Sequence, residues 1–229
     1  TDTIVVGAPH RDSPGANQGA GYVFFRTGGS WNPQGVLTGN DSAAGDLFGW
    51  SVDVHLDTAV VGAKDDNGAI GSAYVFVRNA GSWSQQQKLT ASDGIAGDEI
   101  GHAVAVDGDT VLVAGDWQSP PTTERGAVYV FERDTGVWTE EDILTAFDAA
   151  DGDGFGASVA IRGDLAVIGA AHRDDAAGAD QGAVYPFRRV GGVWTPVPPA
   201  LASDPAASDF FGTSRTTTAR SPARRKCCR

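Results

Sequence analysis

The sequence predicts an all-β fold: a β-propeller of four-stranded antiparallel blades, forming an incomplete or few-bladed ring, with an open β-repeat array as the alternative. Three observations carry this. One phrase recurs, because FGWSV, IGHAV, FGASV and FFGTS each open a unit and DTIVVGA, DTAVVGA, DTVLVAG and DLAVIGA stand at matching places. The spacing is regular: Trp31, Trp83, Trp138 and Trp194 fall 52, 55 and 56 residues apart, and Gly49, Gly101, Gly156 and Gly212 repeat those intervals. Within a unit, short runs rich in Val, Tyr, Phe and Thr are broken by Gly, Asp, Asn and Ser, with no helical periodicity. A unit of roughly 50 residues is one supersecondary element that cannot bury its apolar face alone and must stack on its neighbours.

The second unit, Phe48 to Asp93, shows the elements in order. Its first run, Phe48 to Val54, alternates small and larger residues, as suits a strand crowded near an axis. A tight turn follows, which in the next unit is the hairpin signal Val106-Asp107-Gly108-Asp109. The second strand is Thr58 to Ala63, and the third is Ala73 to Arg78 with Tyr74 and Phe76 on one face. The fourth, Ser82 to Ala91, is the most polar and reads as the exposed outer edge. Three whole blades result, Phe48 to Asp93, Ile100 to Asp148 and Phe155 to Asp204, preceded by a blade without its first strand. Phe210 to Ser214 would supply that strand if the ring closed. The last blade should be the weakest, since Pro186 stands where the other third strands have Val23, Val75 and Val130.

Composition narrows the function. The formal charge is −12, but residues 215–229 hold six Arg or Lys and no acid, so residues 1–214 carry 11 basic against 29 acidic groups. Such a body repels nucleic acid and anionic lipid. No apolar run is long enough to insert in a membrane. Both cysteines, Cys227 and Cys228, lie in the basic stretch, so the repeats hold neither thiol chemistry nor structural zinc. The chain divides at 214. Residues 1–214 are the repeat segment; residues 215–229 read as a basic tail that is not native to the fold. A basic tail for an anionic partner is one reading and a reading-frame shift the favoured one: back-translating SRTTTARSPA with GC-rich codons and reading from the third base can give AHDDGTLAGA, which restores an inner strand and its Asp-Gly turn.

The words FG at the head of strand one, VVGAP (Val5 to Pro9) in strand two and GAGYVF (Gly19 to Phe24) in strand three resemble the FG-GAP repeat of integrin α subunits. The resemblance covers residues 1–214. It implies a propeller, commonly seven-bladed in integrins, in an extracellular or cell-surface protein that works by binding and adhesion. Kelch repeats have a similar period, but their Gly pair precedes Tyr and Trp, whereas here Tyr22 precedes Gly28, Gly29 and Trp31. The calcium loop of integrins, between strands one and two, is not carried over, because that connection is only His55 to Asp57, Asp107 to Asp109 or Arg162 to Asp164.

An Asp pair five apart precedes each FG: Asp41 and Asp46, Asp93 and Asp98, Asp148 and Asp153, Asp204 and Asp209. Paired carboxylates between small residues suit calcium, and Asp151 makes the Asp148–Asp153 loop the best metal candidate. The competing and favoured role is structural, Asp fixing a turn through backbone N–H groups, because catalytic and metal groups are rarely repeated in every unit. Between strands two and three, His10 with Asp12 and His172 with Asp174 suggest acid–base work, but a solvated Asx-turn loop is the plainer reading. The repeated tryptophans read as packing between blades. Trp50 and Trp117 do not repeat and read as special contacts.

In an antiparallel blade, the loops entering strand one and those joining strands two and three emerge on one face. Asp12, Asp65, Asp66, Asp116, Trp117, Asp174 and Asp175 place an acidic ligand face there. The expected function is a non-catalytic extracellular or surface module binding a protein or carbohydrate partner, with the missing blades or neighbouring domains of a larger protein as further partners. A hydrolase-type enzyme on a propeller scaffold and a structural spacer are the alternatives.

Overall fold

The computed structural model describes residues 2–12, 14–115, 125–174, 178–204 and 206–213. Four antiparallel sheets follow one another along the chain. The first has three strands, β1 (Thr3–Ala8), β2 (Ala20–Thr27) and β3 (Ser30–Leu37). The second has β4 (Ser51–His55), β5 (Thr58–Ala63), β6 (Ser72–Asn79) and β7 (Ser82–Leu89). The third has β8 (Ala103–Asp107), β9 (Thr110–Gly115), β10 (Ala127–Asp134) and β11 (Val137–Leu144). The fourth has β12 (Phe155–Arg162), β13 (Leu165–Ala170), β14 (Ala183–Val190) and β15 (Val193–Pro196). Strand order within each sheet is chain order, the meander of a propeller blade. A single helical turn, α1 (Asp66–Ala69), breaks the all-strand expectation, and Asn67 and Gly68 within it have left-handed φ of 53° and 73°.

Apolar burial lies between sheets, so alternate residues of one strand serve two neighbours. Val60 and Val75 of the second sheet pack with Val111, Val113 and Tyr129 of the third. The opposite face of that second sheet presents Ala59, Val61, Tyr74 and Phe76 to Val23 and Leu37 of the first. Two glycines explain why the FG and GA words recur together. Gly101 has φ +95°, which ends regular pairing before β8, and a Cβ on Gly62 would lie 2.1 Å from the Gly101 carbonyl oxygen. The GA word of one sheet and the FG word of the next are two sides of one contact. The same geometry moves the inner strand's start from the expected Phe48 to Ser51, leaving Phe48 as a single bridge to Gly19.

Pro186 does not break the fourth sheet, for β14 pairs with both β13 and β15. The prolines act on the outer strand instead. β15 stops at Pro196, where its counterparts run eight residues; beyond it only Val197 N–H to Pro186 O (2.8 Å) and the bridge of Ala200 to Val184 hold the segment to β14. Proline offers no N–H to the ladder.

Candidate binding face

The face expected to carry ligands is assembled by backbone hydrogen bonds. The loop joining strands two and three of each sheet accepts from the loop that enters the next: Gly45 N–H to Ala16 O (2.9 Å), Phe48 N–H to Gln18 O (3.0 Å), Glu99 N–H to Ala69 O (3.1 Å) and Phe210 N–H to Asp180 O (3.0 Å). Both loop families therefore sit at one end of the array, and their order is fixed by the chain rather than by side chains.

The Asp pairs divide the work. The second Asp of each pair closes its own loop by accepting the N–H three residues earlier: Asp46 from Ala43, Asp98 from Ile95, Asp153 from Ala150 and Asp209 from Ala206. Burial raises the carboxyl pKa of Asp46 and Asp153 above the ordinary range, and the backbone donor only partly offsets this. The first Asp staples two sheets, accepting the phenol of the third strand ahead: Asp41 from Tyr74 (2.9 Å), Asp93 from Tyr129 (2.7 Å) and Asp148 from Tyr185 (2.8 Å).

The loop with three aspartates is occupied by donors. Asp148 also takes Arg173 at 3.0 Å, and Asp151 takes the Arg125 Nε at 3.1 Å. Calcium needs six to eight oxygens with free lone pairs. These three carboxylates accept from a phenol, two guanidinium groups and a backbone N–H, donors that a calcium ion would have to displace or share. Among the described residues no group of three or more His, Cys, Asp or Glu is placed to hold a metal. Asp204 is exposed, and no hydrogen bond is found for it among the described residues.

The acids of the strand two–three loops have separate fates. Asp12 and Asp174 are exposed but fold their own loops, accepting the N–H of Asn17 (2.7 Å) and Asp180 (2.8 Å). Their histidines turn elsewhere: His10 Nδ1 meets Asn17 and His172 Nδ1 meets Asp180, each at 3.0 Å. No His–Asp dyad forms within HRD. Asp65 is half-buried and bonded to Lys64 at 3.1 Å. Asp66, expected on the ligand face, is instead buried, taking the Ser72 hydroxyl at 2.6 Å and the Lys88 ammonium at 2.7 Å. Asp116, Trp117 and Asp175 lie outside the described residues.

Trp50 makes the special contact its lack of repetition suggested. The Lys64 ammonium sits 4.8 Å from its ring centre and reaches Glu99 at 2.8 Å, in the loop that enters the third sheet. Partial burial opposes the charge on Lys64, but Glu99 and Asp65 outweigh it and hold the ammonium above its ordinary pKa. A cation covers that indole, so it serves the junction between two sheets.

The opposite end of the array carries a device that the sequence reading missed. Arg78, Arg133 and Arg189 each bond an Asp in their own sheet's first turn: Asp57 (2.7 Å), Asp109 (2.7 Å) and Asp164 (2.9 Å). Each also donates to a threonine of the preceding sheet, Thr3 (3.0 Å), Thr58 (3.3 Å) and Thr110 (3.3 Å), while lying over its own Trp83, Trp138 or Trp194. Trp83 and Trp138 in turn donate, each at 2.9 Å, to Gln34 and Gln86. Those glutamines are the extra residues of β-bulges, where pairing skips between Val23 and Phe24 and between Val75 and Phe76. The signal was present, because Arg26, Arg78, Arg133 and Arg189 recur at the tryptophan spacing.

A four-sheet meander with inter-sheet glycine contacts and repeated Tyr–Asp and Arg–Thr staples defines a β-propeller-type repeat protein. The FG-GAP repeat family matches residues 31–76, 83–131 and 138–187, and the chain belongs to that family. No curated protein matches it. Each matched segment starts on the outer strand of one sheet and ends on the third strand of the next, so the sequence unit is itself a strap between neighbours.

Proposed function

We propose that this chain is a non-catalytic binding module of an extracellular or cell-surface protein, recruiting a protein or carbohydrate partner through its acidic loop face. The observation that carries the reading is the joining of both loop families at one end by backbone hydrogen bonds, which leaves Asp12 and Asp174 exposed there on a fixed frame. A body with a large acidic surplus favours a cationic partner surface, or a polyhydroxylated one that hydrogen-bonds carboxylates. The non-catalytic part is supported by the two HRD words, in which neither histidine meets its own aspartate: His10 Nδ1 lies on Asn17 and His172 Nδ1 on Asp180. Localisation follows the family; among the described residues no helix is long and apolar enough to cross a membrane.

The test is a panel of basic proteins and immobilised glycans, probed with the wild-type chain and with Asp12→Asn/Asp65→Asn/Asp174→Asn. Asn keeps an oxygen acceptor for the loop N–H groups, so the fold persists while the charge is lost. Binding weakened at least tenfold, and weakened also by salt, supports the reading. Equal binding by both proteins refutes it.

A further inference from the structure

Every junction between successive sheets is built from the same parts, and each part also occurs once, unmatched, at the ends of the array. On the first sheet, Ile4 and Val6 are 39% and 47% exposed, although their counterparts Ala59 and Val61 are wholly buried by the sheet before them. Tyr22 and Phe24 are likewise half-buried where Tyr74 and Phe76 are covered. Among the described residues the Tyr22 hydroxyl meets no Asp, while at the far end Asp204, the first Asp of the fourth pair, meets no tyrosine. β1 lies at the inner edge of its sheet with its backbone open on that side.

The last sheet offers the complements. Phe211 is held there by a bridge to Gly182, and the Ser158 hydroxyl donates to the Gly212 carbonyl at 2.7 Å. The third sheet's first residues are seated the same way, through Gly71 with Ile100 and the Ser51 hydroxyl with the Gly101 carbonyl. At their junctions Gly49 and Gly101 pass their N–H groups to Gly62 O and Ala114 O of their own second strands. No second strand follows Gly212 among the described residues. A cavity of about 210 Å³ lies open beside it, lined by Ser158, Val167, Gly169, Val184, Phe211 and Gly212. Internal junctions fill that place with apolar residues of the next unit, as Val111 and Val113 do over Val60 and Val75.

We propose that these two ends are halves of one interface and that a second copy of this chain closes it. The partner's Phe211–Thr213 lies along β1, its Asp204 takes the Tyr22 hydroxyl, and Ile4 and Val6 enter its cavity. Both halves are exposed on the same molecule, so the chain has not closed upon itself. Head-to-tail contacts of this kind form rings when the rotation closes, and two copies of four sheets give eight blades, within the usual propeller range of about four to eight. The junction is weaker than the internal ones. Leu165 stands where Thr3, Thr58 and Thr110 accept from arginine, and Val197 where Gln34 and Gln86 accept from tryptophan. Association is therefore reversible.

Sedimentation velocity and light scattering across protein concentration test this on the full chain. The expected result is a monomer of 23.6 kDa in equilibrium with a dimer. Val6→Asp and Val167→Asp each alter a residue already reached by solvent, so each should keep the wild-type circular dichroism and lose the dimer. An equimolar mixture of the two should recover a heterodimer through the one intact junction, and Tyr22→Phe, which removes one hydrogen bond from each of the two junctions, should weaken dimerisation about thirtyfold. Monomer at all concentrations overturns the proposal, leaving the ends to other units or to residues 214–229. A dimer lost with Val6→Asp but untouched by Val167→Asp also overturns it, since that pattern marks a symmetric face-to-face contact.

Discussion

Replacing Gly62 by alanine tests the claim that the FG and GA words form a single inter-sheet contact. The new Cβ would lie 2.1 Å from the Gly101 carbonyl oxygen and 2.3 Å from the Ser51 Oγ, where ordinary contact begins at 3.4 Å. Relief requires the second and third sheets to part by more than an ångström and the Ser51 hydroxyl to abandon the Gly101 carbonyl, which it now meets at 2.7 Å. Overpacking costs about 1–3 kcal/mol, and losing that hydrogen bond adds about 1 kcal/mol. Against this stand about 0.8 kcal/mol for a buried methyl and about 0.5–1 kcal/mol for the reduced freedom of the unfolded chain. The net expectation is a loss of roughly 1–2 kcal/mol. Gly35→Ala is the control, since Gly35 lies in β3 with nothing within 4 Å of the added carbon, and it should be neutral or mildly stabilising. The protein carries a natural counterpart: Ala114 replaces the glycine in the third sheet, and there the next inner strand slips register between Phe155 and Ser158, which β4 and β8 do not. Urea unfolding followed by tryptophan fluorescence measures both variants. Equal midpoints for Gly62→Ala and Gly35→Ala would refute the contact as the cause of the recurring words.

Further outcomes follow from the same geometry. Tyr129→Phe should cost about 1 kcal/mol in urea unfolding by removing the phenol from Asp93, whereas Tyr22→Phe should leave the monomer unchanged. Asp153→Ala should destabilise by about 1 kcal/mol by orphaning the Ala150 N–H, and Asp153→Asn should not, because its amide oxygen still accepts. Since burial raises the Asp153 pKa in the fold, its ionised form costs stability above that pKa; the cost fades as pH falls towards the ordinary carboxylate value of 3.8, and Asp153→Asn should flatten stability over that window. Asp41 has the opposite sign: despite the burial that opposes ionisation, Lys88 and Tyr74 lower its pKa, so its contribution is full above 3.8 and is lost as pH falls below it, and Asp41→Asn should remove that acid-side loss. Calcium titrated into the chain should give no saturable heat; a heat abolished by both Asp151→Ala and Asp153→Ala would place a cation in that loop after all.

The second strand of the second sheet, Thr58–Ala63, was legible to the residue, because a β-branched run is bounded there by a turn and a glycine. The inner strands of the second and third sheets were read three residues too early, since the alternation of FGWSV looks like strand while the positive φ of Gly49 suspends pairing at its head; that of the fourth starts at Phe155, as read. The aspartate loops were legible as turns, but the split between loop closure and tyrosine stapling was not. Each staple joins residues more than thirty positions apart, Asp41 to Tyr74 and Asp148 to Tyr185, and no local pattern ties one to the other. The arginine staples reach further, from Arg78 back to Thr3.

The offset between the sequence unit and the sheet explains these misses. A repeat framed on its tryptophan runs from the outer strand of one sheet into the inner strands of the next, so the contacts that fix its residues cross the frame in which the repeat is read. Trp83 recurs because Gln34 of the preceding bulge accepts from it, and Gly62 because Gly101 of the following unit abuts it. A residue in such an array repeats when its neighbour on the adjoining sheet repeats. The positions that fail to repeat, Trp50 with Lys64 and Glu99, or Leu165 and Val197 on the last sheet, mark where one junction differs from the others.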